Sequence, residues 1–178
     1  WTVHFFIRTL QELFPVFFQV GPTVGTAQGY NHLVRLTEDK IDIEEVFRQV
    51  QDPRAGAVNL FVGTVRESSA NRKIQRLEFE AFGQMAENEL QKLLSEATTR
   101  FGLCRCAVVH RLGVVPMGEI IMVVAVAAAH RHEAFQATQW LVEGLKRVVP
   151  IWKKEIDLEG NAVWVEALPE PSASEGKG

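Results

Sequence analysis

Cysteine is nearly missing: the 178 residues carry two, Cys104 and Cys106. Two thiols exclude a disulfide-stapled secreted scaffold, and without a second pair at ligand spacing they exclude a zinc site. They lie two apart in a stretch of strand character. That spacing puts them on one face and poorly placed to bridge each other. The expected compartment is therefore reducing and cytoplasmic. No apolar run is long and unbroken enough to span a bilayer. Net positive charge is also missing: the formal charge is −3, so nothing global marks a nucleic-acid binder. There is no Walker loop, no Rossmann glycine fingerprint and no Ser-His-Asp order.

What is present is apolar residue, 47% of the chain, ample for the core of one domain. Residues 41–50 read as a short helix, with Asp42 as N-cap and Glu45 in capping-box position. GAVNLFVGTV at 56–65 reads as a buried strand. A polar loop is expected at 66–73. Residues 74–82 alternate as a half-exposed strand, with Ile74, Arg76, Glu78 and Glu80 on one face and Leu77, Phe79 and Ala81 on the other. A helix is expected at 85–101, with Ala86, Leu90, Leu93, Leu94, Ala97 and Phe101 on its apolar face and Gly102 closing it. A strand at 103–112 and a turn at 113–118 lead to a near-continuous apolar strand at 119–129. That run suits the centre of a sheet buried on both faces. A helix at 130–149 stops at Pro150, with Phe135, Thr138, Leu141, Val142, Leu145, Val148 and Val149 at helical spacing. Residues 151–156 and 162–167 read as two final strands.

This order predicts an α+β fold with a mixed or largely antiparallel sheet and helices packed on it. Residues 1–35 read as an N-terminal extension and linker, 36–168 as the main domain and 169–178 as a flexible tail.

Chemistry-bearing residues concentrate between 127 and 155. Lys146 shares a helix row with Val142 and Val149. Apolar neighbours would desolvate it in part and favour its neutral, nucleophilic form. The other reading is a snorkelling lysine at a helix C-terminus, where the dipole favours cations. Ala127, Ala128 and Ala129 leave room for close backbone approach. His130 and Arg131 follow, where free helix N–H groups would point outward, and so form either an anion pocket for a phosphorylated small molecule or a capping histidine beside a solvated arginine. Arg66, placed by a rigid strand and Gly63, suits substrate positioning or simply opens a loop. Lys146, Lys153 and Lys154 flank a corner at Pro150. They either converge on one pocket, as acid/base or nucleophile and counter-charge, or guard a helix end and an edge strand. On the residues alone the reading stops at an α+β domain with a basic small-anion pocket.

Five stretches go further. They are LFVGTVRE at 60–67, LEFEAFGQMAENEL at 77–90, VVHRLGVVPMGE at 108–119, AAAHRHEAF at 127–135 and LKRVVPIWKKE at 145–155. In this order they resemble the large, catalytic subunit of molybdopterin synthase, the MoaE family, over roughly 36–168. The resemblance implies an α/β hammerhead fold and a sulfurtransferase that needs neither metal nor organic cofactor. It implies a homodimer with a small ubiquitin-like sulfur carrier docked at each end, a heterotetramer. The carrier's C-terminal Gly-Gly thiocarboxylate enters the pocket. Its sulfur passes, in two rounds, to cyclic pyranopterin monophosphate, giving molybdopterin in molybdenum cofactor biosynthesis.

Carried over residue by residue, Lys146 matches the catalytic lysine beside the carrier terminus and the reacting carbon. Lys153 matches the second pocket lysine, next to Lys154 and Glu155. Arg66, with Thr64 and Val65, matches the substrate-binding segment. His130 and Arg131 match the pair that holds the substrate's phosphate end across the dimer, and Phe61 an aromatic residue lining the pocket. Two positions depart: Leu168 stands where the family often has a basic residue, and Val142 where some members have methionine. VHFFIRTLQELF at 3–14 is similar to the first strand and helix of the carrier, which marks 1–35 as a candidate remnant of a fused carrier. The alternative to an enzyme is a non-catalytic module that docks a ubiquitin-like partner.

Overall fold

In the computed structural model, which describes residues 32–69 and 72–165, the elements run in this order. They are β1 (His32–Thr37), α1 (Ile43–Val50), β2 (Ala57–Thr64), β3 (Ser68–Ser69), β4 (Arg72–Ala81) and α2 (Gly83–Phe101). Then come β5 (Leu103–Arg111), β6 (Gly113–Pro116), β7 (Ile120–Ala128), α3 (Arg131–Val148), β8 (Ile151–Asp157) and β9 (Ala162–Val165). Residues 1–31 of the extension proposed as a carrier remnant, the tail and Leu168 lie outside the described residues.

The apolar run at 119–129 supplies β7, which sits inside a four-stranded sheet ordered β1-β5-β7-β2. Its residues from Met122 to Ala128 are all buried, as a strand covered on both faces requires. α2 and α3 pack on one face, over Cys106, Val108, Val124 and Val126. α1 packs on the other, over Ala107, Val109, Val123 and Ala125. β1 pairs parallel with β5 and the other ladders are antiparallel. A second sheet, wholly antiparallel, carries β4 between β8 on one side and β3 and β6 on the other, with β9 beyond β8. This is the α+β class with a mixed sheet and packed helices.

Local chemistry explains the element ends. Asp42 caps α1: its Oδ1 accepts from the N–H groups of Glu44 at 2.9 Å and Glu45 at 3.3 Å, an arrangement worth about 1 kcal/mol. Glu45 does not complete the capping box, because its carboxylate forms a two-bond pair with Arg35 of β1, at 2.9 and 3.0 Å. Gly102 closes α2 in the left-handed region, φ 63°, where a side chain is strained.

Several expectations need correction. Residues 32–35, read as linker, enter the sheet as β1, and 113–116, read as turn, pair with β4 as β6. The loop at 66–73 holds the short β3 and the start of β4. Phe135 and Val148 are exposed, and α3 instead buries Ala134, Ala137, Thr138, Leu141, Val142 and Leu145. Alanines at the first turns let the helix lie close on the sheet, and Phe135 falls off that stripe.

Two irregularities break strict alternation. A bulge between Leu103 and Arg105 turns Cys104 toward the α1 face, while Cys106 faces α2; both thiols are free. A second, between Ile74 and Arg76, brings Ile74 onto the buried face with Leu77 and Phe79 rather than with Arg76 and Glu78. Among the described residues no helix is long and apolar enough to cross a membrane.

Candidate functional site

β2 and β7 are antiparallel, with Ala57 opposite Ala128 and Thr64 opposite Ile120. α3 leaves the Ala128 end and packs back over β7 and β2, so its last turn, with Lys146, lies at the Thr64 end. The next residues form a corner. Pro150 accepts from the Phe82 N–H at 3.3 Å, and Ile151 pairs with Ala81. Lys153 then falls opposite Phe79, whose ring meets His110 edge-on at 5.1 Å. His110 pairs with Met122, and Met122 with Gly63. The end of β2, the last turn of α3 and the middle of β8 therefore gather at one end of the fold. This places Thr64, Arg66, Lys146 and Lys153 at the same end.

Each is set by its element. Val65 is 2% exposed, in a core with Ile74, Leu77, Phe79 and Val115. Its N–H donates to the Glu119 carbonyl at 3.0 Å, and its own carbonyl accepts from Gly118 at 2.8 Å. Val65 is thus an anchor whose side chain and backbone are both occupied. Thr64 and Arg66 are exposed on either side of it. Phe61 is half-buried on the α3 face, and a Cβ on Gly63 would lie 3.5 Å from its ring. That is ordinary contact; the tighter approach is to the Met122 side chain at 3.3 Å, so glycine at 63 leaves room for Met122. Lys146 is exposed, which favours the helix-end reading over burial among apolar neighbours. Neither Lys146 nor Arg66 forms an ion pair among the described residues.

The sequence left Lys153 and Lys154 either converging on one pocket or guarding a helix end and an edge strand, and successive residues of a strand face opposite ways. Lys154 pairs with Glu78 at 2.9 Å and stands 5.4 Å from the centre of the Trp164 ring, on the face away from Lys153. The Lys154 bond, opposed by burial and helped by Arg76, holds the Glu78 carboxyl below its usual range. Lys153 lies with Glu155, whose side chain is 3% exposed. Burial pushes the Glu155 carboxyl up. Hydrogen bonds from Ser69 and Lys153 and the charges of Lys153 and Arg72 outweigh it, so the group stays below the ordinary glutamate range and ionised. Glu155 is thus committed within the fold rather than open to substrate. Ser69, Arg72 and Glu78 were missed from the sequence, and nothing in their local pattern signals a contact across 80 or so residues.

His130 and Arg131 stand apart from this group. They are exposed at the opposite end of the β2–β7 ladder, about 24 Å from Thr64 at about 3.4 Å per residue. His130 occupies the N-cap of α3 without a side-chain cap bond, leaving first-turn N–H groups available for an anion. Close backbone approach does occur here: a Cβ on Gly56 would sit 2.5 Å from the Ala129 carbonyl oxygen. Shallow clefts run along the outer faces of α2 and α3, past Phe82, Met85, Trp140 and Val148, and neither is lined by Lys146, Lys153, Arg66 or His130. Of the candidate residues, Thr64, Arg66, His130, Arg131 and Lys146 are exposed, Phe61, Lys153 and Lys154 half-buried, and Val65 and Glu155 buried. Among the described residues no group of three or more His, Cys, Asp or Glu is placed to hold a metal ion.

Comparison with known proteins agrees with the motifs. Molybdopterin synthase catalytic subunit of Bos taurus is 40% identical over 132 residues, covering 74% of this chain and 70% of that protein. The protein of the same name from Pyrococcus abyssi is 38% identical over 134 residues, covering 75% of this chain and 89% of its own length. The crystal structure of molybdopterin synthase from Staphylococcus aureus superposes with a TM-score of 0.70 at 33% identity, over 74% of this chain and 95% of that one. Residues 36–148 match the family described as MoaE protein, and the chain belongs to that family.

Proposed function

We infer that this chain, an enzyme of the molybdopterin synthase catalytic-subunit family, moves sulfur from the C-terminal Gly-Gly thiocarboxylate of a small ubiquitin-like carrier to cyclic pyranopterin monophosphate. The product is molybdopterin. The observation that carries the reading is the gathering of Lys146, Lys153, Thr64 and Arg66 at one open end of the fold. A carboxylate-derived leaving group and an anionic pterin both favour a site with uncompensated cations. Lys146 is assigned acid/base work or attack on the acyl carbon. Lys153 is assigned the second catalytic role, Arg66 and Thr64 the pterin, and Phe61 the pocket wall. Val65 and Glu155 support these groups from within, and Lys154 serves the opposite face of β8. Two free thiols suit a reducing, cytoplasmic setting.

We further assign His130 and Arg131 to a homodimeric partner's site. An exposed helix N-terminus with an adjacent arginine suits a phosphate. At about 24 Å from Thr64 it cannot hold the phosphate end of a substrate that reaches Lys146 of the same chain. A second copy resolves that distance, and the open surface around Lys146 leaves room for a carrier tail.

The test is conversion of cyclic pyranopterin monophosphate to molybdopterin with thiocarboxylated carrier supplied, for wild type and Lys146→Ala. Activity in the wild type and its loss in a folded Lys146→Ala support the assignment. A folded, carrier-binding wild type without activity would establish the docking module instead. Equal activity in both keeps the enzyme and moves the chemistry to Lys153.

A further inference from the structure

We propose that Arg72 is a positioning residue for Lys153, acting through the carboxylate of Glu155. The inference rests on the reading of Lys153 as a group at the reacting centre. Glu155 divides its two oxygens unequally. Oε2 accepts from the Arg72 guanidinium at 2.9 Å. Oε1 accepts from the Ser69 hydroxyl at 2.8 Å and from the Lys153 ammonium at 3.1 Å. Two cations share one buried anion, so the cluster keeps positive charge over. Lys153 spends one N–H on Oε1 and keeps the others for a ligand.

Arg72 maintains that division. Without it, Oε2 becomes a buried acceptor with no donor, which is strongly disfavoured. Lys153, already on Oε1, is the donor at hand. Its ammonium would swing across both oxygens, become matched charge for charge and turn away from the open surface. The bulge between Ile74 and Arg76 is what puts Arg72 on the face of Leu77, Phe79, Lys153 and Glu155. Arg72 and Ser69 also pair with each other in the β3–β4 hairpin that follows Arg66. The same clamp therefore ties the Arg66 arm to Lys153.

The contact is one bond from Nη2 rather than a bidentate fork, so a lysine at 72 can replace it. Arg72 is about one-third exposed, at 34%, so its removal opens no cavity. The test is steady-state sulfur transfer to cyclic pyranopterin monophosphate, with thiocarboxylated carrier, for wild type, Arg72→Met, Arg72→Lys, Lys153→Ala and the Arg72→Met/Lys153→Ala pair. Arg72→Met is expected to lower kcat by about ten- to a hundred-fold, the cost of misplacing a reacting group by about 1 Å. KM for the pterin should stay within about two-fold, and Arg72→Lys should recover most of kcat. In the Lys153→Ala background Arg72→Met should add nothing, because its effect passes through the missing ammonium. Wild-type kcat in Arg72→Met beside an impaired Lys153→Ala would overturn the proposal. So would a full further loss in the double variant, which would give Arg72 a role of its own. If Lys153→Ala itself keeps wild-type activity, the role assigned to Lys153 fails first and this proposal goes with it.

Discussion

Gly56→Ala should couple stability to the anion-binding end of the fold. Gly56 precedes β2 opposite Ala129, and an added Cβ would lie 2.5 Å from the Ala129 carbonyl oxygen. Carbon and carbonyl oxygen ordinarily approach to about 3.3 Å, so the overlap is about 0.8 Å. The atom in the way is backbone and cannot rotate aside. Overpacking of this kind costs about 1–3 kcal/mol. For a domain of this size each kcal/mol lowers Tm by about 2–4 °C, which places the expected fall at about 2–12 °C. The displaced carbonyl belongs to the residue directly before His130, the N-cap of α3. A shift there moves His130 and Arg131 together. KM for cyclic pyranopterin monophosphate should rise, by about ten-fold if a full 1 Å error costs on the order of a hundred-fold. Thermal unfolding and steady-state kinetics read the two effects separately. A variant that melts with the wild type would refute the close approach. One that melts early with an unchanged KM would refute the assignment of His130 and Arg131 to the substrate.

His110 supplies a pH prediction. Burial pushes its imidazole down to about 4, against a smaller upward pull from the bond between Nδ1 and the Arg111 carbonyl. The folded state therefore holds His110 neutral, while the unfolded chain takes up the proton near 6.5. Stability is full above pH 6.5 and falls as pH drops toward 4, by about 3 kcal/mol over that window. Denaturant melts of wild type and His110→Gln should diverge in slope between pH 6.5 and 5; parallel slopes would sink the reading. His32, also lowered by burial, contributes equally to both proteins and cancels. The cysteines supply another. Burial, offset in part by a bond to Thr98, pushes the Cys106 thiol up to about 12, whereas Cys104 is half-exposed. A thiol reagent at neutral pH should modify Cys104 and spare Cys106 until the fold opens, and equal labelling in the native state would contradict the bulge that separates them.

Periodicity made most of the fold legible. β7 could be read because a central strand needs apolar residues on both faces, and α2 because its apolar stripe ends on a glycine that adopts φ 63°. β1 was missed because six residues, HLVRLT, carry too little pattern to compete with the linker before them. β6 was missed because GVVP looks like part of a turn. Only the partner strand, with Leu77 opposite Val115 and Phe79 opposite Gly113, turns it into sheet. α3 was placed correctly, but its buried stripe was not. Phe135 is the larger apolar group, yet close helix–sheet packing selected Ala134 and Ala137 for the interface.

The site divides along the same line. Local motifs marked Lys146, Lys153, Arg66 and the His130–Arg131 pair, because each belongs to the end of one element. Their grouping depends on long-range register, which a local pattern does not carry. Arg72 and Glu155 are 83 residues apart and meet only because β4 lies against β8. Even that pairing would fail with a perfect period of two. Strict alternation puts Ile74 on the face of Arg76 and Glu78, and Arg72 with it, where it would face away from Lys153. One inserted residue between Ile74 and Arg76 reverses the faces, buries Ile74 and delivers Arg72 to Glu155. A bulge costs the ladder one regular pair and gains an orientation that alternation forbids. Deleting Gln75 would set Ile74 directly beside Arg76 and keep Arg72 on the face of Glu155 by regular alternation, so steady-state sulfur transfer should survive the deletion, and a loss as large as that of Arg72→Met would refute this account of the bulge.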